Sequence, residues 1–418
     1  MANKKRKNSK KNIFFELIGE EEVLIYAPLA GLALRTSSEE AENIKKAAFG
    51  LLSTQESVDA WNMLRAKDSV LVYSSPIDID EMTILLNQRC NFSCTYCYSA
   101  LGRSKAELNT ARIHQVLDFF VKRSRGLHLK LVFSGGGDPL LSFDKFQEAV
   151  NYAEKLAIKQ EIALAIGLVT NGSTLTDDQI NFLKDHEVEM VLSFDILKDV
   201  HDKQRSHFDT VADTLLRIAN AGLPFGLRST ITPLNVNRQC EMVETLHKDF
   251  PQVMSAAFEA VLSRELFETI EEQTAFYKDF VNGFFQARSL GECYGIEISN
   301  TIFNSVGCRK LRACPGKLVV TPDGILSACS RISSDKEPHY NLFQYGHIDS
   351  SGVIVDEDKY NWLMSQNALL YKDCSGCIAQ WHCGGGCLLA RKVLAERMPV
   401  YCSFMRQMIV ETLKYVTR

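Results

Sequence analysis

The chain has 418 residues, 46% of them apolar, which is enough for a large buried core and for two or three domains. Its 47 basic and 51 acidic residues leave a formal net charge of -4, which argues against broad electrostatic binding of DNA or RNA. No stretch reaches the roughly 18 consecutive apolar residues a membrane helix needs. Thirteen cysteines without a secretory signal suit a reducing, cytoplasmic setting where thiols take metal instead of pairing.

In chain order, residues 1–12 open with Lys4, Lys5, Arg6, Lys7, Lys10 and Lys11 and read as a disordered basic tail. Residues 13–80 read as a small α+β unit: strands Phe14–Ile18, Val23–Tyr26 and Leu32–Arg35, then two helices. Its plain role is an extension that packs on the domain after it.

Residues 81–290 alternate short apolar runs with segments of helical period, the mark of repeated βα units around a parallel sheet. The expected strands are Thr83–Asn87, Leu129–Ser134, Ile162–Thr170, Met190–Phe194, Gly226–Thr232 and Ala256–Leu262. Helices are expected at Ala111–Lys122, Phe143–Ala157, Asp177–Asp185 and Thr210–Ala221, with Thr176 as a start signal and Gly222 as a stop. Six units fall short of the eight that close a TIM barrel, so the fold class is α/β with a partial (β/α)6 TIM-like barrel, open on one side. From residue 291 to 418 periodicity fades while Cys, Gly and Trp rise, until a last helix at Phe404–Val416.

Cys90, Cys94 and Cys97 lie just past the first barrel strand, on the face where βα barrels build active sites. Three thiolates so spaced can hold three irons of a cubane and leave the fourth open; a zinc site with a distant fourth ligand is the other reading. The spacing resembles the signature of the radical S-adenosylmethionine (SAM) superfamily. That resemblance implies that the open iron chelates the methionine part of SAM and that Tyr96 contacts its adenine. Further along, Gly135-Gly136-Gly137-Asp138-Pro139 is similar to the family's glycine-glycine-glutamate-proline segment, with Asp138 as its acid and one extra Gly. The resemblance assigns SAM contacts to Gly136, Gly137, Asp138, Asn171, Ser193 and Arg205. His201 and Asp202 read as a helix-start pair without a ligand.

The later cysteines keep a rhythm: Cys314, nine residues, Gly324, four residues, Cys329; then Cys374, Cys377, Cys383 and Cys387, and finally Cys402. This resembles the twin-cluster SPASM domain of peptide-modifying radical enzymes. By that resemblance Cys308, Cys314, Cys329 and Cys387 hold one auxiliary [4Fe-4S] cluster, and Cys374, Cys377, Cys383 and Cys402 hold another. Three clusters and SAM are therefore the expected cofactors.

The activity implied is reductive cleavage of SAM and hydrogen abstraction from a precursor peptide, ending in a carbon-carbon or thioether crosslink. A reducing partner such as flavodoxin or ferredoxin is implied too. Residues 13–80 have the size and order of a leader-peptide recognition element. Three alternatives stay open. Epimerisation would need a cysteine hydrogen donor, for which Cys240 and Cys293 are candidates. A sulfatase-maturase-like oxidation is disfavoured because Ser330 stands where those enzymes place a catalytic Asp, and a serine is no equivalent base near neutral pH. A non-catalytic iron-sulfur electron carrier is the third.

Overall fold

The computed structural model describes residues 12–65, 79–124, 128–314 and 317–418; apart from Asn12, the basic tail lies outside them. Among the described residues no helix is long and apolar enough to cross a membrane.

The chain begins with a three-stranded antiparallel sheet, β1 (Phe14–Leu17), β2 (Glu22–Ala27) and β3 (Leu32–Ser37), with β2 in the middle. Side chains alternate across a strand, so β2 presents Val23, Ile25 and Ala27 to one face and Leu24 and Tyr26 to the other. The first face packs on the helices Ser38–Ala48 and Gln55–Arg65 through Ile44, Trp61 and Leu64. The Ser37 side chain accepts from Glu40 N, and acids in the first turn with lysines in the last suit the helix dipole. The second face packs against Ile378, Met405, Ile409 and Leu413. The unit therefore docks on the C-terminal, cysteine-rich part of the chain, which corrects the expectation that it leans on the barrel. Both faces of β2 are buried, and its unbroken apolar run follows from that.

The barrel consists of parallel strands β4 (Glu81–Ile84), β5 (His128–Phe133), β6 (Ala163–Thr170), β7 (Glu189–Ser193), β8 (Phe225–Ile231), β9 (Ser255–Ala260) and β10 (Glu297–Ser299), in that order. The first six overlap the expected strands, although β4 lies two to three residues earlier than the expected Thr83–Asn87. The seventh, β10, follows the long helix Ile270–Tyr294 and pairs with β9. Gly291 makes this return feasible, since a Cβ there would stand 2.5 Å from Ile296 O. The expected helices appear at Thr110–Arg123, Phe143–Gln160, Asp177–Asp185 and Phe208–Asn220, and Thr176 forms a capping box with Gln179.

The sheet does not stop at β4. Strand β11 (Leu318–Val320) pairs with it in parallel, and β12 (Ile325–Ser327), β13 (Gln344–Asp349) and β14 (Gly352–Val355) extend it as an antiparallel meander, making eleven strands. The cysteine-rich region is thus joined by backbone hydrogen bonds to the strand that launches the first cysteine loop.

Ile409 on the helix Met398–Val416 is fully buried against β2. Ile409→Ala should cost about 2–5 kcal/mol of unfolding free energy, as large-to-small changes in cores do. Chemical denaturation of the full chain measures this, and a loss under about 0.5 kcal/mol, the range of surface changes, would mean that the N-terminal sheet is not packed there.

Candidate functional site

Cys90, Cys94 and Cys97 line one cavity of about 440 Å³, together with Gln88, Phe92 and Arg103. The loop that carries them is clamped at its base by the glycine segment after β5. Gly137 N donates to Asn87 O and Asp138 N to Arg89 O, both at 2.7 Å. A Cβ on Gly137 would fall 1.9 Å from Arg89 O and 2.2 Å from Asn87 Oδ1, so no other residue fits without moving the loop. Gly136 holds φ +65°, and its Cβ would meet Asn87 O at 2.7 Å. Ser330 O lies 2.9 Å from the Cβ position of Gly135, so the residue after Cys329 borders the same segment.

Two side chains address the sulfurs directly. Asn171 Nδ2 stands 3.8 Å from Cys90 Sγ and 3.1 Å from Asn91 Oδ1. Arg103 Nη2 donates to Cys97 Sγ at 3.2 Å, and its buried Nη1 has no hydrogen-bond partner among the described residues. No motif announces Arg103. Burial pushes the Cys90 thiol up and carries Cys94 to about 11, with Arg205 pulling against the rise at Cys94. As free thiols these two stay protonated at neutral pH, and a metal must displace the protons.

The acidic residue of the glycine segment faces inward. The buried Asp138 carboxylate accepts from Leu140 N at 3.0 Å, Thr170 Oγ1 at 2.8 Å and Asn171 N at 2.7 Å. Burial raises its pKa while these hydrogen bonds oppose the rise. Its carboxylate thus ties the ends of β5 and β6 together and fixes Asn171 beside Cys90.

A second buried network surrounds Tyr96. Its hydroxyl donates to Asp195 Oδ2 at 2.6 Å and accepts from Arg205 Nη1 at 2.8 Å. Asp195 also accepts from Gln204 Nε2 at 2.7 Å and Thr230 N at 2.9 Å, which makes it the hub, a role the sequence reading did not give it. Arg205 Nε is buried without a partner among the described residues. Ser193 ends β7, half-buried, in register with Arg228 of β8. His201 is enclosed; its Nδ1 accepts from Asp195 N at 3.2 Å, and burial lowers it to about 4, so it is neutral. Asp202 accepts from Phe208 N at 2.9 Å, a helix-start contact.

The later cysteines form two groups. Cys314, Cys329 and Cys387 line a cavity of about 60 Å³, where Cys314 and Cys387 share a hydrogen bond that pushes Cys314 up and Cys387 down. Cys374, Cys377, Cys383 and Cys402 are electrostatic neighbours of one another. Arg391 Nη2 sits 3.8 Å from Cys374 Sγ, with its guanidinium 3.5 Å over the Tyr371 ring. Cys308, the remaining thiol of the first foursome, is exposed and does not line that group's cavity. Tyr98 has Cys97 and Cys329 as electrostatic neighbours, one from each thiol group, and Arg331 lies 4.7 Å over its ring. Cys240 and Cys293 stand apart, half-buried near the start of the helix Gln239–Asp249 and exposed at the end of Ile270–Tyr294.

Among the described residues no three or more His, Cys, Asp or Glu side chains are gathered as a single-ion site. The fit to an iron-sulfur cluster rests on the donor set: three sulfurs on one cavity wall, cationic Arg103 and Arg205 nearby, and a volume in the range that takes a small molecule. Gly137→Ala should lose SAM binding by isothermal titration even where circular dichroism stays unchanged. Full-affinity binding would show that the clamp does not shape the cavity.

Residues 84–248 match the Radical SAM superfamily. The radical SAM cyclopropyl synthase TigE of Paramaledivibacter caminithermalis is 22% identical over 362 residues, covering 74% of this chain and 68% of that protein. Among solved structures, native anSMEcpe with bound AdoMet aligns with a TM-score of 0.61 at 16% identity, covering 80% of this chain and 99% of that one. Streptococcus suis SuiB bound to precursor peptide SuiA aligns at 0.53 and 11% identity, covering 90% and 94%. These two structural likenesses are likenesses of fold.

Proposed function

We propose that this chain, whose residues 84–248 match the Radical SAM superfamily, is a radical SAM maturase that installs a carbon-carbon or thioether crosslink in a ribosomally made peptide. The observation that supports this reading is that Tyr98 has one thiol of each group, Cys97 and Cys329, as electrostatic neighbours, while Ser330 O borders Gly135 of the segment that clamps the first cysteine loop.

When bound, the cluster and SAM supply a 5′-deoxyadenosyl radical that abstracts hydrogen. In this reading Cys90, Cys94 and Cys97 hold the cluster. Tyr96, Gly136, Gly137, Asn171, Ser193 and Arg205 frame SAM. Asp138 acts one step back, by orienting Asn171. Arg103 offers its unpartnered Nη1 to the negative charge of the site. Cys308, Cys314, Cys329 and Cys387 serve one auxiliary cluster, and Cys374, Cys377, Cys383 and Cys402 the other. With every auxiliary iron held by protein, these clusters take up the second electron of a two-electron crosslink.

We assign residues 13–80 to leader recognition, 81–290 to the barrel and 291–418 to the SPASM domain, in a cytoplasmic enzyme reduced by flavodoxin or ferredoxin. Epimerisation draws no support from Cys240 and Cys293, which sit on outer helices away from the cavity. Sulfatase-type oxidation draws none from Ser330.

Anaerobically reconstituted protein should carry about twelve irons, and the triple variant Cys90→Ala, Cys94→Ala, Cys97→Ala about eight, on four irons per cluster. The triple variant should form no 5′-deoxyadenosine; unchanged iron in it would refute the ligand assignment. The product peptide should lose a pair of hydrogen atoms per crosslink, and Cys240→Ala and Cys293→Ala should both keep full turnover. An unchanged mass with solvent deuterium at an α-carbon, or loss of turnover in either variant, would favour epimerisation.

A further inference from the structure

The loop that bears Cys308 is exposed at its sulfur yet held firmly by its backbone. His382, 1% exposed and adjacent to Cys383, reaches it with Nδ1, 2.9 Å from Ser305 O and 3.3 Å from Cys308 O. Both of those atoms are carbonyl oxygens, so Nδ1 carries the ring hydrogen. Nε2 therefore accepts, and its partner is the hydroxyl of Tyr26 on β2, itself only 4% exposed. The two rings also stack, with centroids 5.8 Å apart. On the far side of Cys308, Arg309 Nη1 donates to Leu29 O and Lys310 N to Trp381 O, each at 2.7 Å. Trp381 Nε1 in turn donates to Asn12 Oδ1 at 3.0 Å. The residues on both sides of Cys308 are thus fastened to the N-terminal unit and to the short helix Gln380–Cys383.

We propose that His382 is a positioning residue: it locks the Cys308 loop to the N-terminal sheet so that Cys308 can complete the ligand set of Cys314, Cys329 and Cys387. This rests on the auxiliary-cluster assignment given above. The physical reason is the deficit at Cys308. The other three thiols of the set line one cavity, whereas Cys308 does not, and an exposed loop with no fixed base loses conformational entropy each time it takes its ligating position. An imidazole with one nitrogen on the loop carbonyls and the other on Tyr26 fixes that base in advance, as outer-shell partners of metal ligands do. The consequence is that residues 13–65 are a structural part of the auxiliary site as well as a docking element. A peptide that shifts β2 acts on the Cys308 loop through two side chains.

Two substitutions in the full chain separate the two ends of the ring. In His382→Asn the amide Nδ2 takes the place of Nδ1 and keeps the carbonyl contacts while losing Tyr26. In His382→Gln the amide Oε1 takes the place of Nε2 and keeps Tyr26 while releasing the loop. His382→Asn should retain about twelve irons and the wild-type auxiliary signals in electron paramagnetic resonance, while His382→Gln should fall to about eight, on four irons per cluster. The His382→Gln spectrum should match that of Cys308→Ser, and the double variant should add nothing further. Full iron with unchanged spectra in His382→Gln, or equal losses in both variants, would overturn the proposal. Wild-type protein with only about four irons would instead sink the auxiliary-cluster reading on which the proposal rests, so the two failures are distinguishable.

Discussion

The parallel pairing of β11 with β4 is the constraint on which the rest depends. Val320 O accepts from Leu85 N at 2.9 Å, immediately after the last residue of β4. The backbone that enters the first cysteine loop is thereby tied to the backbone that enters the meander bearing Cys329. A parallel sheet fixes both side-chain direction and strand spacing, at about 4.8 Å between neighbours. Cys97 and Cys329, far apart in sequence, are consequently both electrostatic neighbours of Tyr98.

Charge follows from that geometry. Burial pushes Cys94 up to about 11 and Cys383 to about 12, so the empty fold favours their neutral form, while Cys387 is pushed down by the hydrogen bond it shares with Cys314. The cations that oppose this belong to the site itself: Arg103 and Arg205 act on the first group, Arg331 on Cys329, and Arg391 on Cys374. Each is oriented by an aromatic ring, a sulfur or a hydroxyl. Arg205 is held by Tyr96, whose own hydroxyl is claimed by Asp195, so the cation cannot swing away without breaking a buried chain of hydrogen bonds.

Much of this was legible in the sequence because period and caps are local. Six barrel strands, four helices and the Thr176 cap follow from apolar spacing and the chemistry of a helix start. Strand β10 was not legible, since Glu297–Ser299 is too short to show a period. The docking surface of the N-terminal unit was half legible: the run Val23-Leu24-Ile25-Tyr26-Ala27 announces burial on both faces but not what covers the second. The cysteine groupings followed from a resemblance, and the fold gathers seven of the eight later thiols along the same lines. Arg103, Asp195 and His382 escaped, because each acts through a contact between distant segments that no spacing encodes. Asp138 was visible as a residue, but its hydrogen bonds to Thr170 and Asn171 were not, since they join segments that no local spacing relates.

The central claim is that one of three clusters keeps an open iron while the other two are closed. Electron paramagnetic resonance of dithionite-reduced enzyme, recorded with and without SAM, tests it most directly. The account predicts that SAM shifts the g-values of a single cluster, the one absent from the triple variant of Cys90, Cys94 and Cys97, while the remaining signals do not move. Spectra that SAM leaves wholly unchanged, or a shift confined to the clusters that survive in the triple variant, would contradict it.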